Sequence, residues 1–222
     1  MPDWSIFLGS VIDWLYTLNQ TKTKFMIIQL CGLSGAGKST LAKAAEKQLS
    51  LQQFSVEILD GDDYRQTLCR ELGFSKKDRV ENLRRISFVA ARLSKHGVIA
   101  IICAINPYEE MRQEIRNAYP YVKTVFVDCS LDTLKKRDTK GLYKKAFLPQ
   151  GHPEKLDNLT GVNDPFDTPH RPDLYLNTER QTIQECTREL VGFISNNFVF
   201  PVKNFQRLNT SNQKAAKEIF GR

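Results

Sequence analysis

The sequence has no apolar run approaching the roughly 20 residues that a membrane-spanning helix needs. Its apolar start, residues 1–22, carries Asp3 and Asp13 and has neither a basic beginning nor a small-residue cleavage site, which argues against a secretory signal. The same stretch fits an amphipathic helix, but its polar face lacks the Lys and Arg residues of membrane-surface helices. We therefore expect a cytoplasmic protein that binds no membrane.

Cysteine motifs for metal or redox chemistry are also missing. The five cysteines form no CxxC pair and have no zinc-site spacing. Three of them, Cys31, Cys103 and Cys129, stand at the ends of apolar runs, where a small buried side chain fits. We predict free, buried thiols in a reducing compartment.

A motif for nucleic-acid binding is absent as well, although the net charge is +7. No stripe of alternating basic and aromatic residues is present. Positive charge also serves an enzyme that binds polyphosphate-like anions, and this explanation needs no further motif. We expect no nucleic-acid partner.

Short apolar runs alternate with helical patterns along most of the chain. Such runs suit strands covered on both faces, and their alternation with helices predicts an α/β fold with a parallel sheet and helices on both faces. The predicted strands are 24–31, 55–60, 98–104, 122–128 and 173–178. The predicted helices are 38–50, 63–72, 76–96, 108–119, 131–138 and 180–196.

One segment, residues 139–172, is long, polar and without a period. A connection of this length inside a compact domain is usually functional, and a lid over an active site is a frequent use.

The stretch GLSGAGKST, residues 32–40, matches the complete phosphate-loop pattern between a predicted strand and a predicted helix. Gly35 and Gly37 let backbone amides turn toward phosphates, and the helix N-terminus adds positive potential. We expect Lys38 to bridge the β- and γ-phosphates of a nucleotide and Ser39 to ligand Mg²⁺. The expected nucleotide contacts in this loop are Gly32, Leu33, Ser34, Gly35, Ala36, Gly37, Lys38, Ser39 and Thr40.

Two large classes of phosphate-loop protein are excluded by missing motifs. A GTPase needs an [NT]KxD motif near its last strands, and the nearest match, SKKD at 75–78, follows the second strand instead. A transport ATPase needs an LSGGQ-like signature, which the chain does not contain. A small-molecule kinase with a lid fits the length of 222 residues.

Two acidic residues follow the second predicted strand, in LDGDDYR. Asp60 and Asp62 lie at the carboxyl edge of a parallel sheet, beside the phosphate loop. A carboxylate there can order the water around Mg²⁺ or accept a proton from an attacking hydroxyl. The alternative is an ordinary turn at a strand end, where Asp-Gly is common.

An inward-facing arginine follows in LGFSKKDRVENLRRI. Ser75 is a plausible helix N-cap, and helical spacing places Arg79 and Asn82 on the core side near the helix start. A buried arginine requires an anion, which a bound phosphate or sulfate would supply. The alternative partner is Glu71 or Glu81.

These segments together resemble the adenylylsulfate kinase family, which uses ATP to phosphorylate the 3′-hydroxyl of adenosine 5′-phosphosulfate (APS). The resemblance covers about residues 24–196 and extends to GVIAIICAINPYEEMR, VFVDCSLDTLKKRDTKGLYKKA and LTGVNDPFDTP. It implies an N-terminal extension at 1–23, a phosphate-loop kinase domain at 24–197 with its lid near 139–168, and a tail at 198–222. It also implies ATP, Mg²⁺ and APS as ligands.

The family resemblance assigns roles by position. Asp62 corresponds to the acidic residue near the reacting hydroxyl and the metal, with Asp60 in support. Arg137 corresponds to the residue that packs on the adenine of ATP. The positions that correspond to the APS site are Arg65, Phe74, Arg79, Asn82, Ile105, Asn106, Pro107, Lys140 and Leu159.

The chain departs from the family pattern in its acceptor half. Asn106 stands where many members have a serine, so we expect no phosphoenzyme at that position. Leu159 stands where an aromatic residue stacks on the adenine of APS, a loss that we expect to weaken APS binding about tenfold. Residues 147–158 lengthen the lid and include His152, which we interpret as a surface residue.

Two alternatives to an APS kinase remain at this point. One is a related kinase that acts on another nucleotide or polar metabolite, which Leu159 and the longer lid would permit. The other is a nucleotide-binding regulatory subunit without enzymatic activity, against which the intact Lys38, Asp62 and Arg79 argue. The resemblance also leads us to expect a homodimer.

Overall fold

The computed structural model of the protein describes residues 25–198. The predictions made for residues 1–23 and for the tail beyond residue 198 lie outside this range. The predicted helix at 1–22 is therefore not described further.

A five-stranded parallel sheet forms the centre of the domain, in the order β2-β3-β1-β4-β5. Its register places Ile28 of the central strand opposite Ile101 and Lys123 of the two neighbours. The strands are β1 (Met26–Cys31), β2 (Val56–Asp60), β3 (Ile99–Cys103), β4 (Val122–Asp128) and β5 (Leu174–Asn177). All five predicted strands and their parallel pairing are confirmed.

Seven helices connect the strands within the described residues. They are α1 (Lys38–Leu51), α2 (Gly61–Gln66), α3 (Lys76–Lys95), α4 (Glu109–Ala118), α5 (Leu131–Arg137), α6 (Leu142–Ala146) and α7 (Ile183–Asn197). None of these helices has the length and apolar character required to cross a bilayer.

The predicted helix at 63–72 is wrong in its bounds. The carboxylate of Asp60 accepts a hydrogen bond from the Asp62 amide at 2.9 Å, and this N-cap starts α2 at Gly61. The helix ends at Gln66, and the residues after it form turns. The side-chain cap, rather than hydrophobic periodicity, therefore determines where α2 begins.

The segment 139–172 contains structure that its sequence did not predict. The carboxylate of Asp138 accepts hydrogen bonds from the amides of Tyr143 and Lys144 at 3.1 and 2.9 Å. These bonds satisfy donors that a helix N-terminus leaves free, and α6 begins there. The predicted lid, which we call the lid below, therefore begins with a short helix and not with an irregular loop.

The core has two layers, one on each face of the sheet. On one face, Ile28, Ile101 and Val125 pack against buried residues of α1 and α7. On the other face, Ile27 and Ile102 pack against α3 and α4. Alternate residues of each strand therefore face opposite layers, as expected for a sheet with helices on both sides.

The five cysteines are free and buried, as predicted. Burial disfavours the thiolate, and it raises the pKa of Cys31 and of Cys103 to about 12. These two thiols are therefore unreactive at neutral pH.

We predict that Ile28→Ala destabilises the protein by about 2–5 kcal/mol, because the fully buried side chain leaves a cavity between the sheet and its helices. Ile183→Ala is the matched control, since this isoleucine is 54% exposed. Urea unfolding would measure both changes in free energy. An equal effect of the two substitutions would contradict the described core.

Candidate active site

A cavity of about 490 Å³ opens at the carboxyl edge of the sheet. The phosphate loop forms one side of it, and the strand ends and the lid form the others. Thirteen of the predicted site residues line this cavity: Ser34, Gly35, Gly37, Lys38, Ser39, Thr40, Asp60, Asp62, Phe74, Arg79, Ile105, Lys140 and Leu159.

The phosphate loop passes very close to β4 at Gly32, directly after β1. Gly32 has φ +149°, and a Cβ atom at this residue would lie 2.2 Å from the carbonyl oxygen of Val127 in β4. Only glycine permits this approach between two backbones. Gly37, with φ +97°, then leads into α1.

The ammonium group of Lys38 lies inside the loop. Its Nζ donates hydrogen bonds to the carbonyl oxygens of Gly32 and Leu33, both at 2.8 Å. Burial disfavours the charged form and lowers the pKa of Lys38 to about 8. The two loop carbonyls therefore fix the position of the Lys38 ammonium group. Added negative charge nearby would raise its pKa.

Asp60 holds the end of the phosphate loop as well as the start of α2. Its Oδ2 accepts a hydrogen bond of 2.6 Å from the hydroxyl of Ser39. Its Oδ1 caps α2 through the amide of Asp62. Asp60 thus has a structural role at the strand end, as the alternative interpretation expected, and it also contacts the phosphate loop.

Asp62 faces the lid. Its Oδ2 accepts a hydrogen bond of 2.6 Å from the ammonium group of Lys140, and both side chains are more than half exposed. The hydrogen bond to this carboxylate raises the pKa of Lys140. The pair connects the strand-end carboxylate to the lid across the mouth of the cavity.

Arg79 is buried, with 7% of its surface exposed, and it contacts the lid. It donates to the Thr160 hydroxyl at 2.9 Å and to the Asn158 carbonyl at 2.7 Å. Its Nη2 also lies 3.5 Å from the Asp164 carboxylate. The alternative prediction that Glu71 or Glu81 pairs with Arg79 is wrong, because both carboxylates bind Arg85 instead.

Phe74 lies close to two guanidinium groups. The Arg65 and Arg79 guanidinium carbons are 4.8 and 5.7 Å from the ring centroid. Arg65 also donates to the Gly73 carbonyl at 2.6 Å, and Arg79 donates to the Phe74 carbonyl at 2.8 Å. The ring, which is 53% exposed, lines the cavity, and the two guanidinium groups fix its position by cation–π contact.

Several predicted site residues are not among those that line the cavity. Asn106, in the left-handed region at φ +48°, donates from Nδ2 to Gln29 Oε1 at 3.0 Å. The Pro107 carbonyl accepts from the Asp167 amide at 2.8 Å, and Arg137 donates to the Thr178 carbonyl at 2.8 Å. Asn82 is buried, and its Oδ1 has no partner among the described residues.

Arg112 is a structural residue of the site that the sequence did not identify. It is 1% exposed and donates to the carbonyl oxygens of Asn106 and Asp167 at 2.6 and 2.5 Å, and to Glu109. It thereby joins the loop after β3 to the end of the lid. No apolar pattern reveals such a residue, and its partners are up to 55 positions away.

The lid is attached to the phosphate loop at its base. The Tyr143 hydroxyl donates to the Ser34 carbonyl at 2.8 Å. Within the insertion, Lys155 donates to the carbonyls of Ala146 and Leu148, which closes the loop on itself. His152 is exposed, as interpreted from the sequence. Lid residues that the sequence did not assign also line the cavity: Thr139, Leu142, Leu156, Asn158 and Thr160.

The sequence matches a known protein family and several relatives. The profile of the adenylylsulphate kinase family matches residues 24–177. The adenylyl-sulfate kinase of Deinococcus deserti is 44% identical over 171 residues, which are 77% of this chain and 92% of the relative. That of Chloroflexus aurantiacus is 45% identical over 167 residues, which are 75% of this chain and 87% of the relative.

A solved structure agrees with these relatives. The APS kinase of Mycobacterium tuberculosis, in complex with AMPPNP and APS, superimposes with a TM-score of 0.71 at 35% identity. The superposition covers 78% of this chain and 98% of that one. The family profile, the relatives and the fold agree, and the chain belongs to the adenylylsulphate kinase family.

Proposed function

We propose that the protein transfers the γ-phosphoryl group of ATP to the 3′-hydroxyl of adenosine 5′-phosphosulfate, giving 3′-phosphoadenosine 5′-phosphosulfate for sulfate assimilation. The observation that carries the proposal is one cavity in which the phosphate loop faces Phe74, Arg79 and Leu159 of the acceptor half. Phosphoryl transfer depends on in-line positioning and on charge neutralisation, and this cavity supplies elements for both.

The donor half binds ATP through the phosphate loop. The loop amides and the N-terminus of α1 face the phosphates, and Lys38 supplies a partly buried positive charge. Arg137, fixed by the Thr178 carbonyl, is the proposed contact for the adenine of ATP. The loop amides, the helix N-terminus and Lys38 neutralise charge on the transferring phosphoryl group without forming a covalent bond to it.

The residues beside the loop fit Mg²⁺. The Ser39 hydroxyl and the carboxylates of Asp60 and Asp62 line the cavity as hard oxygen donors. Mg²⁺ in kinases binds one or two protein oxygens together with substrate phosphates. We propose Ser39 and Asp62 as the protein groups that hold it, and its chemistry there is the neutralisation of phosphate charge.

Asp62 is the proposed base for the acceptor hydroxyl. In the described structure its carboxylate is bound by Lys140. We propose that Lys140 moves to the phosphates when both substrates are bound, which frees Asp62 to accept the proton. The same movement neutralises phosphate charge and closes the cavity to water, so that ATP is not hydrolysed.

The acceptor half orients APS. Phe74 offers an aromatic face to the adenine of APS, and Arg65 is the proposed contact for the phosphosulfate group. Ile105 and Leu159 supply apolar walls. Most donors of Arg79 already bind the lid, so its proposed contribution includes holding Thr160 and Asn158 as well as attracting the anion. Asn82, Asn106 and Pro107 are proposed to support this wall without lining it.

The setting of the reaction is also a proposal. We infer that the protein works in the cytoplasm and forms a homodimer, as the family resemblance leads us to expect. Sedimentation that gives the mass of a single 25.5 kDa chain would contradict the dimer.

A different acceptor, the alternative raised by Leu159, is not favoured by the family match. Turnover with another nucleotide and none with APS would restore it.

We predict ATP-dependent phosphorylation of APS that falls by about 10²–10⁴-fold in kcat for Asp62→Asn, because the proton acceptor is lost. The neighbouring Asp63→Asn is the matched control, since Asp63 is exposed and lies outside the cavity lining. A coupled assay for ADP would measure both. Equal rates in the two variants would contradict the role of Asp62.

We predict that ATP affinity falls as the pH rises above about 8, where Lys38 loses its proton in the free protein. The triphosphate stabilises the ammonium and raises its pKa, so binding takes up a proton above this pH, and affinity falls by up to about tenfold per pH unit. Titration calorimetry in buffers of different ionisation enthalpy would measure this uptake.

Lys38→Arg is the control for that experiment. Because arginine stays charged throughout this range, the pH dependence of ATP binding should disappear. An unchanged dependence in the variant would show that another group titrates.

We predict that Leu159→Phe lowers the KM for APS by up to about tenfold while the KM for ATP stays constant. An added aromatic ring in the acceptor wall contributes about 0.5–1.5 kcal/mol by stacking on adenine. Steady-state kinetics with each substrate varied in turn would measure the change. A parallel shift in both KM values would point to a general repacking of the buried site around residue 159 instead.

A further inference from the structure

A close contact joins the lid to the phosphate loop at Gly161. This glycine has φ +84°, and a Cβ atom added to it would lie 2.6 Å from Cδ2 and 3.1 Å from Cδ1 of Leu33. Leu33 belongs to the donor loop, whereas Gly161 follows Leu159 and Thr160 of the acceptor wall. The two halves of the active site therefore meet at this point.

Residues 158–164, which we call the acceptor turn, form a fixed unit. The Gly161 amide donates to the Asp164 carbonyl at 2.7 Å, and the Leu159 amide donates to Asn163 Oδ1, also at 2.7 Å. Arg79 binds the turn at Asn158 and Thr160. A displacement at Gly161 is therefore transmitted to the whole turn instead of being absorbed by one residue.

Leu33 is equally well fixed on the donor side. Its carbonyl oxygen accepts hydrogen bonds from Lys38 Nζ at 2.8 Å and from the Ala36 amide at 3.2 Å. Its side chain thus extends from a backbone that also positions the lysine. The spacing between Leu33 and Gly161 therefore reports how far the phosphate loop lies from the acceptor wall.

We propose that Leu33 and Gly161 are positioning residues for phosphoryl transfer, because their contact sets how closely the acceptor turn approaches the phosphate loop. The inference rests on the proposed function. Transfer requires the reacting atoms to lie within about 3–3.5 Å, and a displacement of about 1 Å costs on the order of 100-fold in rate. A Cβ atom at residue 161 meets the side-chain end of Leu33, so either this side chain leaves its contact or the acceptor turn moves away, and both remove the described spacing.

Gly161→Ala tests the proposal, with Gly151→Ala as its matched control. Gly151 has the same φ, +84°, but a Cβ atom there meets nothing within 4 Å. Both substitutions carry the same backbone strain, and only one meets Leu33. We expect kcat with APS to fall about 10- to 100-fold for Gly161→Ala and to stay within about twofold of the unmodified protein for Gly151→Ala.

The ratio of ATP hydrolysed to APS phosphorylated is the second measurement. We expect this ratio to rise in Gly161→Ala, because a displaced acceptor turn leaves room for water beside the phosphates. A loss of folded protein would lower both rates together and leave the ratio unchanged. Equal kcat values and ratios in the two alanine variants would overturn the proposal.

A second substitution at Leu33 makes the test independent of the glycine strain. In Leu33→Ala/Gly161→Ala the clashing Cγ and Cδ atoms are removed, and we expect about tenfold of the lost kcat to return. Leu33→Ala alone, which removes the contact without strain, should lower kcat and raise the hydrolysis ratio while the protein remains folded at the assay temperature. A normal ratio in this variant would overturn the proposal.

Failure of this inference is distinct from failure of the proposed function. An unmodified protein that does not phosphorylate APS overturns the proposed function and the inference that rests on it. An active unmodified protein whose glycine variants behave alike overturns only the positioning role.

Discussion

The active site depends on the close passage of two backbones, where the phosphate loop leaves β1 beside β4. At Gly32 the chain lies so near the Val127 carbonyl that no side chain fits. This approach directs the loop back over the sheet edge, where its carbonyls bind Lys38 and its end meets Asp60. The donor half is thus determined by backbone packing before any nucleotide binds.

The acceptor half is held in a different way, by buried arginines that bind carbonyl groups. Arg79 fixes the lid from α3, and Arg112 fixes the loop after β3 from α4. Hydrogen bonds to a charged donor are stronger than those between neutral groups, which suits segments that have little apolar area of their own. A rigid donor loop and a wall fastened by arginines therefore face each other across one cavity.

The sequence predicted the parts of this structure that depend on local pattern. Five apolar runs gave the strands, and the glycines and Lys38 gave the phosphate loop, because these signals lie within a few neighbouring residues. The start of α2 was mispredicted, since a side-chain bond from Asp60 overrides periodicity there. The contacts of Arg79 with Thr160 and of Arg112 with Asp167 were not predictable, since these partners lie 81 and 55 positions away and folding alone brings them together.

The insertion in the lid has a consequence for how this chain tolerates change. Lys155 brings the two ends of the inserted loop together at Ala146 and Leu148, and the Leu156 amide reaches the Lys145 carbonyl at 3.2 Å. A loop whose ends are already joined gains length at little entropic cost, because closure entropy grows only slowly with the number of residues. Gly151 and His152 are exposed and lie outside the cavity lining, so the chain is expected to tolerate an attached reporter peptide or tether there.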